Sequence, residues 1–287
     1  MEKRQRKKLA RWKKALIALG CIFGAIGIIA LSFYFHFLSA HKITIWRPGY
    51  DKIENLSDIL NKPELSDEDY DTLYKQTGIT KVGIDSELKR GAAGRAQILN
   101  IQQSYFEKHE VIFNLFAPYV CTDATDTEIP TVSVQKGDII VTSSTHIAGF
   151  RVGHAGLAVN DYGGVLQATQ VGSESYIGEV ADFSTRCNFM ILRPKRDKIT
   201  DENINEICAY AVNNLQGKRY FAASGVLSKK TDENKTQCAQ IVWCAFNRYG
   251  FDLDSDGGAV VTPQDLANSP YLELVQVFGF DPVKLWK

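Results

Sequence analysis

The pattern of apolar and polar positions divides the chain into an apolar N-terminal run, a polar helical region and a strand-rich half. Ala15 to Ala40 contains no Asp, Glu, Lys or Arg. At about 1.5 Å per residue, a helix of this length spans roughly 39 Å, more than the ~30 Å hydrocarbon core of a bilayer. The run therefore predicts a transmembrane anchor over residues 15–40. A cleaved signal peptide is the alternative, but its apolar region is usually about 7–15 residues long.

Residues 41–130 have the pattern of a helical accessory region. Ser66-Asp-Glu-Asp69 has the form of a capping box, Gly78 has the position of a helix stop, and apolar residues recur at helical spacing from Ala96 to His109. The acidic, Thr-rich segment from Cys121 to Pro130 favours a linker or surface loop. We expect this region to pack on the following domain or to form one wall of its cleft.

Residues 131–287 alternate short apolar strands with turn signals and then continue into helices. The segments Ile139–Thr142, His154–Val159, Val165–Thr169 and Asn188–Leu192 have strand character, and the second and third read as a hairpin. A helix capped by Thr200 follows, and a more apolar helix begins at Cys238. This order predicts an α+β fold in which a small antiparallel sheet is packed by helices.

The charge distribution supports the membrane prediction. The whole chain has 33 basic and 33 acidic residues, but residues 1–14 hold eight basic residues and one acid. Removing that basic tail leaves 25 basic and 32 acidic residues, so the rest of the chain is mildly acidic and nucleic acid is not an expected partner. The positive-inside rule places the tail in the cytoplasm and the domain after residue 40 outside it.

Three residues form a candidate catalytic set. Cys238 opens a helix, where unpaired backbone N–H groups and the helix dipole favour the thiolate, and His154 heads a Gly/Ala-rich strand. Gln167 lies on the strand predicted to pair with that of His154, so it could orient the imidazole. We expect a nucleophile, a base and an orienting residue in these roles. The alternative is that the cysteine and the histidine are structural.

Several short runs carry a resemblance to a known family. They are Gly137-Asp-Ile-Ile, Gly153-His154-Ala-Gly-Leu, Leu166-Gln167-Ala, Leu192-Arg-Pro-Lys and Gln237-Cys238-Ala-Gln-Ile-Val-Trp. In this order, histidine first and cysteine last, they resemble the circularly permuted papain-like amidases of the NlpC superfamily, the YiiX/YebB-like group. The resemblance covers about residues 131–270.

The resemblance implies a permuted papain-like domain that attacks an amide through an acyl-enzyme, with Cys238 as nucleophile and His154 as base. The family's third polar position usually holds an acid, and here it matches Gln167, so Glu174 or Glu179 could take the third role instead. Outside a bacterial membrane the amide-rich substrate is the peptide stem of peptidoglycan. The alternatives are an acyltransferase or thioesterase acting on lipid-linked substrates, or a catalytically silent binding module.

Two other patterns concern metals and disulfides. Asp252, Asp254, Asp256 and Gly257 imitate the start of an EF-hand, but Pro263 stands at the twelfth position where Glu is needed, so an aspartate-capped turn is the alternative. His146 lacks zinc-ligand spacing to other residues, and we expect no metal or cofactor. The five cysteines after the apolar run fit one free catalytic thiol and up to two disulfides.

Overall fold

A single long helix accounts for the N-terminal region. The computed structural model describes residues 2–40, 43, 45–113, 120–147 and 150–286. Helix α1 runs Glu2–Ala40. Its segment Trp12–Phe35, 24 residues with a mean hydropathy of 2.5, is long and apolar enough to cross a membrane, and its side chains are exposed along that whole length. The sequence prediction of an apolar helix is confirmed.

Four further helices follow in the part of the accessory region that the structure describes. They are α2 (Leu56–Leu60), α3 (Asp67–Thr77), α4 (Lys81–Leu88) and α5 (Ala92–Phe106). The predicted capping box is present, because Ser66 Oγ accepts the Asp69 N–H at 3.2 Å and Asp69 Oδ2 accepts the Ser66 N–H at 3.0 Å. Gly78 ends α3 with φ +69°. Gly91, with φ +65°, separates α4 from α5, so the last helix begins at Ala92 and ends at Phe106 rather than running from Ala96 to His109.

The remaining elements alternate strands and short helices. The strands are β1 (Val111–Phe113), β2 (Val120–Thr125), β3 (Ile139–Thr142), β4 (Thr145–Ile147), β5 (Phe150–Arg151), β6 (His154–Ala158), β7 (Gly164–Gln167), β8 (Tyr176–Glu179), β9 (Phe189–Pro194), β10 (Arg219–Tyr220), β11 (Lys235–Thr236) and β12 (Leu272–Phe278). The helices are α6 (Ala181–Ser184), α7 (Asp201–Tyr210), which continues into a π-helical turn (Ala211–Leu215), α8 (Cys238–Asn247) and α9 (Pro263–Ala267).

The main sheet has six strands in the order β12-β9-β3-β6-β7-β8. Its neighbouring strands pair antiparallel, and the predicted hairpin is β6 paired with β7. Edge strand β12 was not predicted from the sequence. A smaller antiparallel arrangement joins β1, β2 and β4. The α+β class with antiparallel sheets is therefore confirmed.

Helices cover both faces of the main sheet. Successive residues of a strand point to opposite faces, so each strand contributes side chains to two separate cores. Ile139, Val141 and Leu157 pack with α7 and α8 in one core cluster. Ile140 and Ile191, from the opposite face, pack in a second cluster with the accessory helices α2 to α5. The accessory helices and the strand-rich half thus belong to one compact unit, Ile43–Ile147 with Arg151–Lys287.

One sequence prediction in the accessory region is wrong. The segment from Cys121 to Pro130 was expected to be a linker or surface loop, but its first part belongs to β2, which runs Val120–Thr125. Asp123 in this strand is fully buried. Its carboxylate accepts from His146 and Arg151, and these partners let an acidic residue lie inside a strand.

We expect Gly78 to be required for the contact between α3 and β12. A Cβ at Gly78 would lie 2.2 Å from the Val277 carbonyl oxygen, whereas a Cβ at Gly91 would meet nothing within 4 Å. Both glycines have a positive φ that other residues rarely adopt, so Gly91→Ala should cost only the conformational strain, about 1–3 kcal/mol, whereas the added clash should bring Gly78→Ala to about 3–5 kcal/mol. Urea unfolding of the two variants measures the difference. Equal losses of unfolding free energy would contradict this assignment.

Candidate active site

Cys238 is the first residue of α8, as the sequence predicted. Gln237 caps the helix, because its side-chain Oε1 accepts the Ala239 N–H at 2.8 Å while its Nε2 donates to the Val261 carbonyl. Cys238 Sγ lies 3.4 Å from the same Oε1 and donates to it. The helix packs against β6, the strand that begins with His154. The cap therefore fixes both the start of the helix and the resting position of the thiol.

Burial determines the protonation state of the thiol. The thiol lies in a desolvated site that raises the pKa of Cys238 to about 11, although the backbone N–H groups of Ala155, Ala239 and Cys238 act in the opposite direction. Desolvation penalises the thiolate more than these N–H groups stabilise it. At neutral pH Cys238 is a protonated thiol that needs a base.

His154 is held by two contacts. Its Nε2 lies 2.8 Å from Gln167 Oε1, and its ring stacks on Phe183 with the centroids 5.1 Å apart and the planes 11° apart. The pairing of Gly156 with Gln167 in the sheet brings the two side chains together. Burial lowers the pKa of His154 to about 4, so the imidazole is neutral near pH 7. Since Nε2 carries the hydrogen donated to Gln167, Nδ1 keeps its lone pair.

Asp182 is a further residue of the site that the sequence reasoning missed. Gln167 Nε2 donates to Asp182 Oδ2 at 2.5 Å, and the Glu179 N–H donates to the same oxygen at 3.1 Å. Because an ionised carboxylate only accepts hydrogen bonds, it fixes the amide so that Gln167 Oε1 faces the imidazole. A carboxylate is thus present in contact with the orienting amide, on the side away from the imidazole.

The two acids considered from the sequence do not take this role. Glu174 and Glu179 are exposed, and Glu179 contributes only its backbone N–H to Asp182. The one local sign of Asp182 in the sequence is Gly178, a glycine within a strand, where glycine often marks a close approach of other groups. A Cβ at Gly178 would lie 2.2 Å from Gln167 Nε2 and 2.3 Å from Asp182 Oδ2, so a glycine is needed where the amide and the carboxylate meet.

No described hydrogen bond joins the thiol to the imidazole, and the two groups have different surroundings. The ring of His154 stacks on Phe183, a member of the second core cluster, whereas Cys238 begins α8, which packs in the first. The Ala155 N–H, from the residue after His154, faces the sulfur of Cys238. Within the described residues, however, the hydrogen-bond partner of Sγ is Gln237 and the side-chain partner of the imidazole is Gln167. A proton transfer from the thiol to Nδ1 would require the Cys238 side chain to leave Gln237 and the two side chains to approach one another. Catalytic hydrogen bonds are often long before substrate binds.

Cys238 and His154 open into two different cavities. The first, which we name the thiol cavity, has a volume of about 310 Å³ and is lined by Ile147, Arg151, Val152, Tyr220, Ala222, Gln237, Cys238, Val260, Val261, Thr262, Pro263, Gln264 and Trp286. The second, which we name the imidazole cavity, has a volume of about 230 Å³ and is lined by Thr122, Thr145, His154, Thr169, Gln170, Tyr176 and Arg186. The thiol cavity is largely apolar, whereas every side chain of the imidazole cavity is polar.

Gly153 links the strand of His154 to the wall of the thiol cavity. Its φ is +70°, and a Cβ there would lie 2.6 Å from the Thr142 carbonyl oxygen and 2.7 Å from the Trp286 ring. The glycine before His154 thus allows Trp286 to pack closely over this turn. The space beside Gly153 is therefore filled by the Trp286 ring.

His146 is buried within the smaller antiparallel arrangement. It belongs to β4, and its Nε2 lies 2.8 Å from Asp123 Oδ2. Arg151 Nη1 contacts the same carboxylate oxygen at 3.2 Å. These contacts make His146 part of a buried polar cluster between β2 and β4.

The acidic segment after α8 forms capped turns. Asp254, Asp256 and Asp265 bring carboxylate oxygens within 4.8 Å of one another. The Lys230 ammonium forms an ion pair with Asp254, however, and Asp265 Oδ2 accepts the Thr262 N–H at 2.7 Å. Asp254 and Asp265 thus each have a partner within the chain.

The predicted disulfides are not formed by the cysteines that the structure describes outside α1. Cys187, Cys208, Cys238 and Cys244 are all free and buried. The side chain of Cys121 lies outside the described residues. Burial raises the pKa of Cys187, Cys208 and Cys244 to about 12, so these thiols are even less acidic than Cys238.

The chain was compared with protein-family models, curated proteins and solved structures. None of the three comparisons finds a match. The chemistry of the site is therefore argued from its own residues.

We expect alkylation of Cys238 to depend on His154 in a defined pH range. Above pH about 4 the imidazole is deprotonated and can accept the thiol proton, whereas the thiolate forms unaided only near pH 11. The iodoacetamide rate at Cys238 should rise through pH 4, level off and rise again near pH 11. His154→Ala should remove the first rise and lower the rate at pH 7 about 100-fold.

Peptide mass spectrometry of the alkylated chain assigns the label to each cysteine. Cys244, six residues further along α8, is the internal control, because burial raises its pKa to about 12 and its rate should not change in the His154 variant. Identical pH profiles for Cys238 in the parent and the variant would exclude the imidazole as its base.

Proposed function

We propose that this protein is a membrane-anchored, extracytoplasmic cysteine hydrolase that cleaves amide bonds. The observation that carries the proposal is the line of contacts from Asp182 through Gln167 to His154. It leaves Nδ1 as the free base nitrogen, and the backbone N–H of the next residue, Ala155, meets Cys238. A nucleophile, a base and an orienting group held by separate elements are what covalent catalysis by a thiol requires.

The proposed reaction begins from a neutral pair. As Sγ of Cys238 attacks the amide carbon, its proton moves to Nδ1 of His154, and the carbonyl electrons move to the oxygen. The first N–H groups of α8, including that of Cys238, are the donors for this oxyanion. Collapse breaks the C–N bond, and the amine leaves with the imidazolium proton. His154 then takes a proton from water as the water oxygen attacks the thioester carbon. The C–S bond breaks, and the imidazolium returns its proton to the released thiolate.

Gln167 and Asp182 act on the charged stages of this cycle. The imidazolium donates from Nε2 to Gln167 Oε1, and the negative charge of Asp182 lies directly behind that amide. Asp182 opposes, through its charge, the burial that lowers the pKa of His154. We infer that Asp182, acting through Gln167, stabilises the imidazolium as an acid in direct contact with the imidazole would.

The proposed fold is the permuted papain-like domain that the sequence resembles. His154 begins β6, Gln167 ends β7, and Cys238 begins the later helix α8, which packs on β6. This chain order, histidine before cysteine, supports the proposal. The helix packs on the same sheet that carries the base and its partner.

The proposed location follows from the N-terminal segment. Helix α1 is long and apolar enough to cross a membrane, and the basic residues 1–14 precede its apolar part. The positive-inside rule then places the tail in the cytoplasm and the catalytic unit outside. The proposed substrate is the peptide stem of peptidoglycan or another amide of the cell envelope.

A specific observation favours a second candidate function. The thiol cavity is largely apolar, which also suits an acyl chain bound as a thioester. An acyltransferase or thioesterase would use the same Cys238 and His154. A silent binding module is the third possibility, supported by the resting hydrogen bond of Cys238 to Gln237 rather than to the imidazole.

The direct test is digestion of muropeptides by the full chain in detergent, followed by mass spectrometry of the products. We expect amide cleavage by the parent chain and a loss of at least about 1000-fold in Cys238→Ala and His154→Ala. Gln167→Ala should lose about 100-fold. Cys244→Ala is the matched control, since it removes a buried thiol from the same helix and should retain activity.

A parallel assay with a fatty-acyl thioester separates the candidate functions. Release of fatty acid without muropeptide cleavage would replace the amidase proposal by the second candidate. If neither substrate turns over and Cys238 reacts no faster than Cys244 near neutral pH, the enzyme proposal fails.

The anchor is tested in membranes. We expect the full chain to stay in the membrane fraction after carbonate extraction, with an intact mass that includes residues 1–40. Protease added outside spheroplasts should digest the catalytic unit, because the proposal places it there. A mature chain that starts near His41 would overturn the anchor, and protection from external protease would overturn the orientation.

A further inference from the structure

The imidazole cavity differs from the thiol cavity in its chemistry. Threonine hydroxyls, an amide, a phenol and the imidazole of His154 line it together with one guanidinium, that of Arg186. None of the described side chains that line it is a carboxylate. The cavity thus combines a permanent positive charge with several neutral hydrogen-bonding groups, directly beside the proposed base.

Arg186 has donors that the protein does not use. Its Nε donates to the Asp182 carbonyl oxygen at 2.6 Å. Within the described part of the chain, this is the only side-chain hydrogen bond of Arg186, and no carboxylate lies within ion-pair distance of it. Burial lowers the pKa of Arg186, although the charge of Asp182 opposes that shift. Leaving the terminal nitrogens of a partly buried guanidinium without a partner costs folding free energy, and a bound anion would offset that cost.

A second group in the cavity also lacks a partner. Thr145 is only 6 % exposed, and its Oγ1 has no hydrogen-bond partner among the described residues. Its side chain lines the same cavity as Arg186. Buried hydroxyls are nearly always hydrogen-bonded in folded proteins, so Thr145 adds an unsatisfied polar group to the wall of the cavity.

The nearest acid does not neutralise Arg186 directly. Asp182 Oδ2 already accepts from Gln167 and from the Glu179 N–H. It meets Arg186 through its backbone carbonyl rather than through its carboxylate. The terminal nitrogens of the guanidinium therefore remain available to a ligand, while the Asp182 carboxylate holds Gln167.

We propose that the imidazole cavity binds a carboxylate of the substrate through Arg186. The substrate class is then an amide or peptide with a free carboxylate close to the bond that is cleaved. The planar guanidinium offers two parallel N–H donors that match the two oxygens of a carboxylate. Threonine hydroxyls can donate to the remaining lone pairs of those oxygens. This inference rests on the proposed hydrolase function, because the carboxylate would place the scissile carbonyl between His154 and Cys238.

The position of the cavity gives the carboxylate its role. His154 lines the cavity with its imidazole, and the next residue, Ala155, contacts Cys238. A substrate anchored at Arg186 therefore lies beside the base, one residue of β6 away from the backbone contact with the nucleophile. Arg186 acts as a specificity-determining residue that binds the carboxylate.

The test compares two substrates that differ only at the anchoring group. One is a short peptide with a C-terminal carboxylate next to the scissile amide, and the other carries a carboxamide there. We expect kcat/KM of the full chain to favour the carboxylate about 10- to 100-fold, mainly through KM, since hydrogen bonds to a charged group have this strength. In Arg186→Gln the ratio of the two values should fall to about 1, and Arg186→Lys should be intermediate.

Arg248→Gln is the matched control for the change in net charge. Its guanidinium stacks on the Tyr210 ring and does not line the imidazole cavity. The ratio of the two substrates should stay at the parent value in this variant. Because the readout is a ratio within each variant, a general loss of activity does not mimic the loss of carboxylate recognition.

Binding measurements separate this inference from the hydrolase proposal. Calorimetry with the full-length Cys238→Ala chain should show tighter binding of the carboxylate peptide than of the carboxamide peptide, and Arg186→Gln should abolish the difference. If this preference is present but no turnover occurs in the parent chain, the cavity assignment stands and the hydrolase proposal fails. Turnover without any preference overturns the inference alone. Tighter binding of inorganic phosphate than of the carboxylate peptide overturns the carboxylate assignment.

Discussion

The site depends on the antiparallel pairing of β6 with its two neighbours. The pairing with β3 places His154 opposite Thr142, and the pairing with β7 places Gly156 opposite Gln167. A slip of one residue in either register would turn the imidazole or the amide to the opposite face of the sheet. The two faces carry separate core clusters, so the hydrophobic pattern of these strands holds the register in place. The geometry of the base thus follows from the packing of the sheet.

Local patterns were sufficient to predict the elements that carry the candidate site. The start of α8 at Cys238, the hairpin of β6 and β7 and the capping box of α3 involve residues close in sequence, and each appears where expected. Edge strand β12 was missed because it pairs with β9, about 80 residues earlier in the chain, and short apolar segments do not reveal such pairings. The strand at Cys121–Thr125 was missed because Asp123 looks like a surface residue until His146 and Arg151 are placed beside it.

The protonation state of the candidate residues could not be predicted from the sequence. The position of Cys238 at a helix start favours a thiolate, yet burial outweighs the helix and keeps the thiol protonated. The same desolvation keeps His154 neutral. Both effects depend on the surrounding side chains, which only the folded structure brings together. A pair that is neutral at rest is protected from oxidation and alkylation by comparison with a preformed ion pair, since the thiolate is the reactive form.

The amide at position 167 has a consequence for how this site can change. Its Nε2 donates to Asp182 in a space that Gly178 keeps open. A carboxylate at position 167 would face the carboxylate of Asp182 at hydrogen-bond distance, and two acids so close can share only one negative charge comfortably near neutral pH. The identities of these three positions are therefore coupled: replacing the amide by an acid requires a neutral partner at 182. A search for catalytic acids that examines only the position next to the histidine would overlook the charge that this chain keeps behind it.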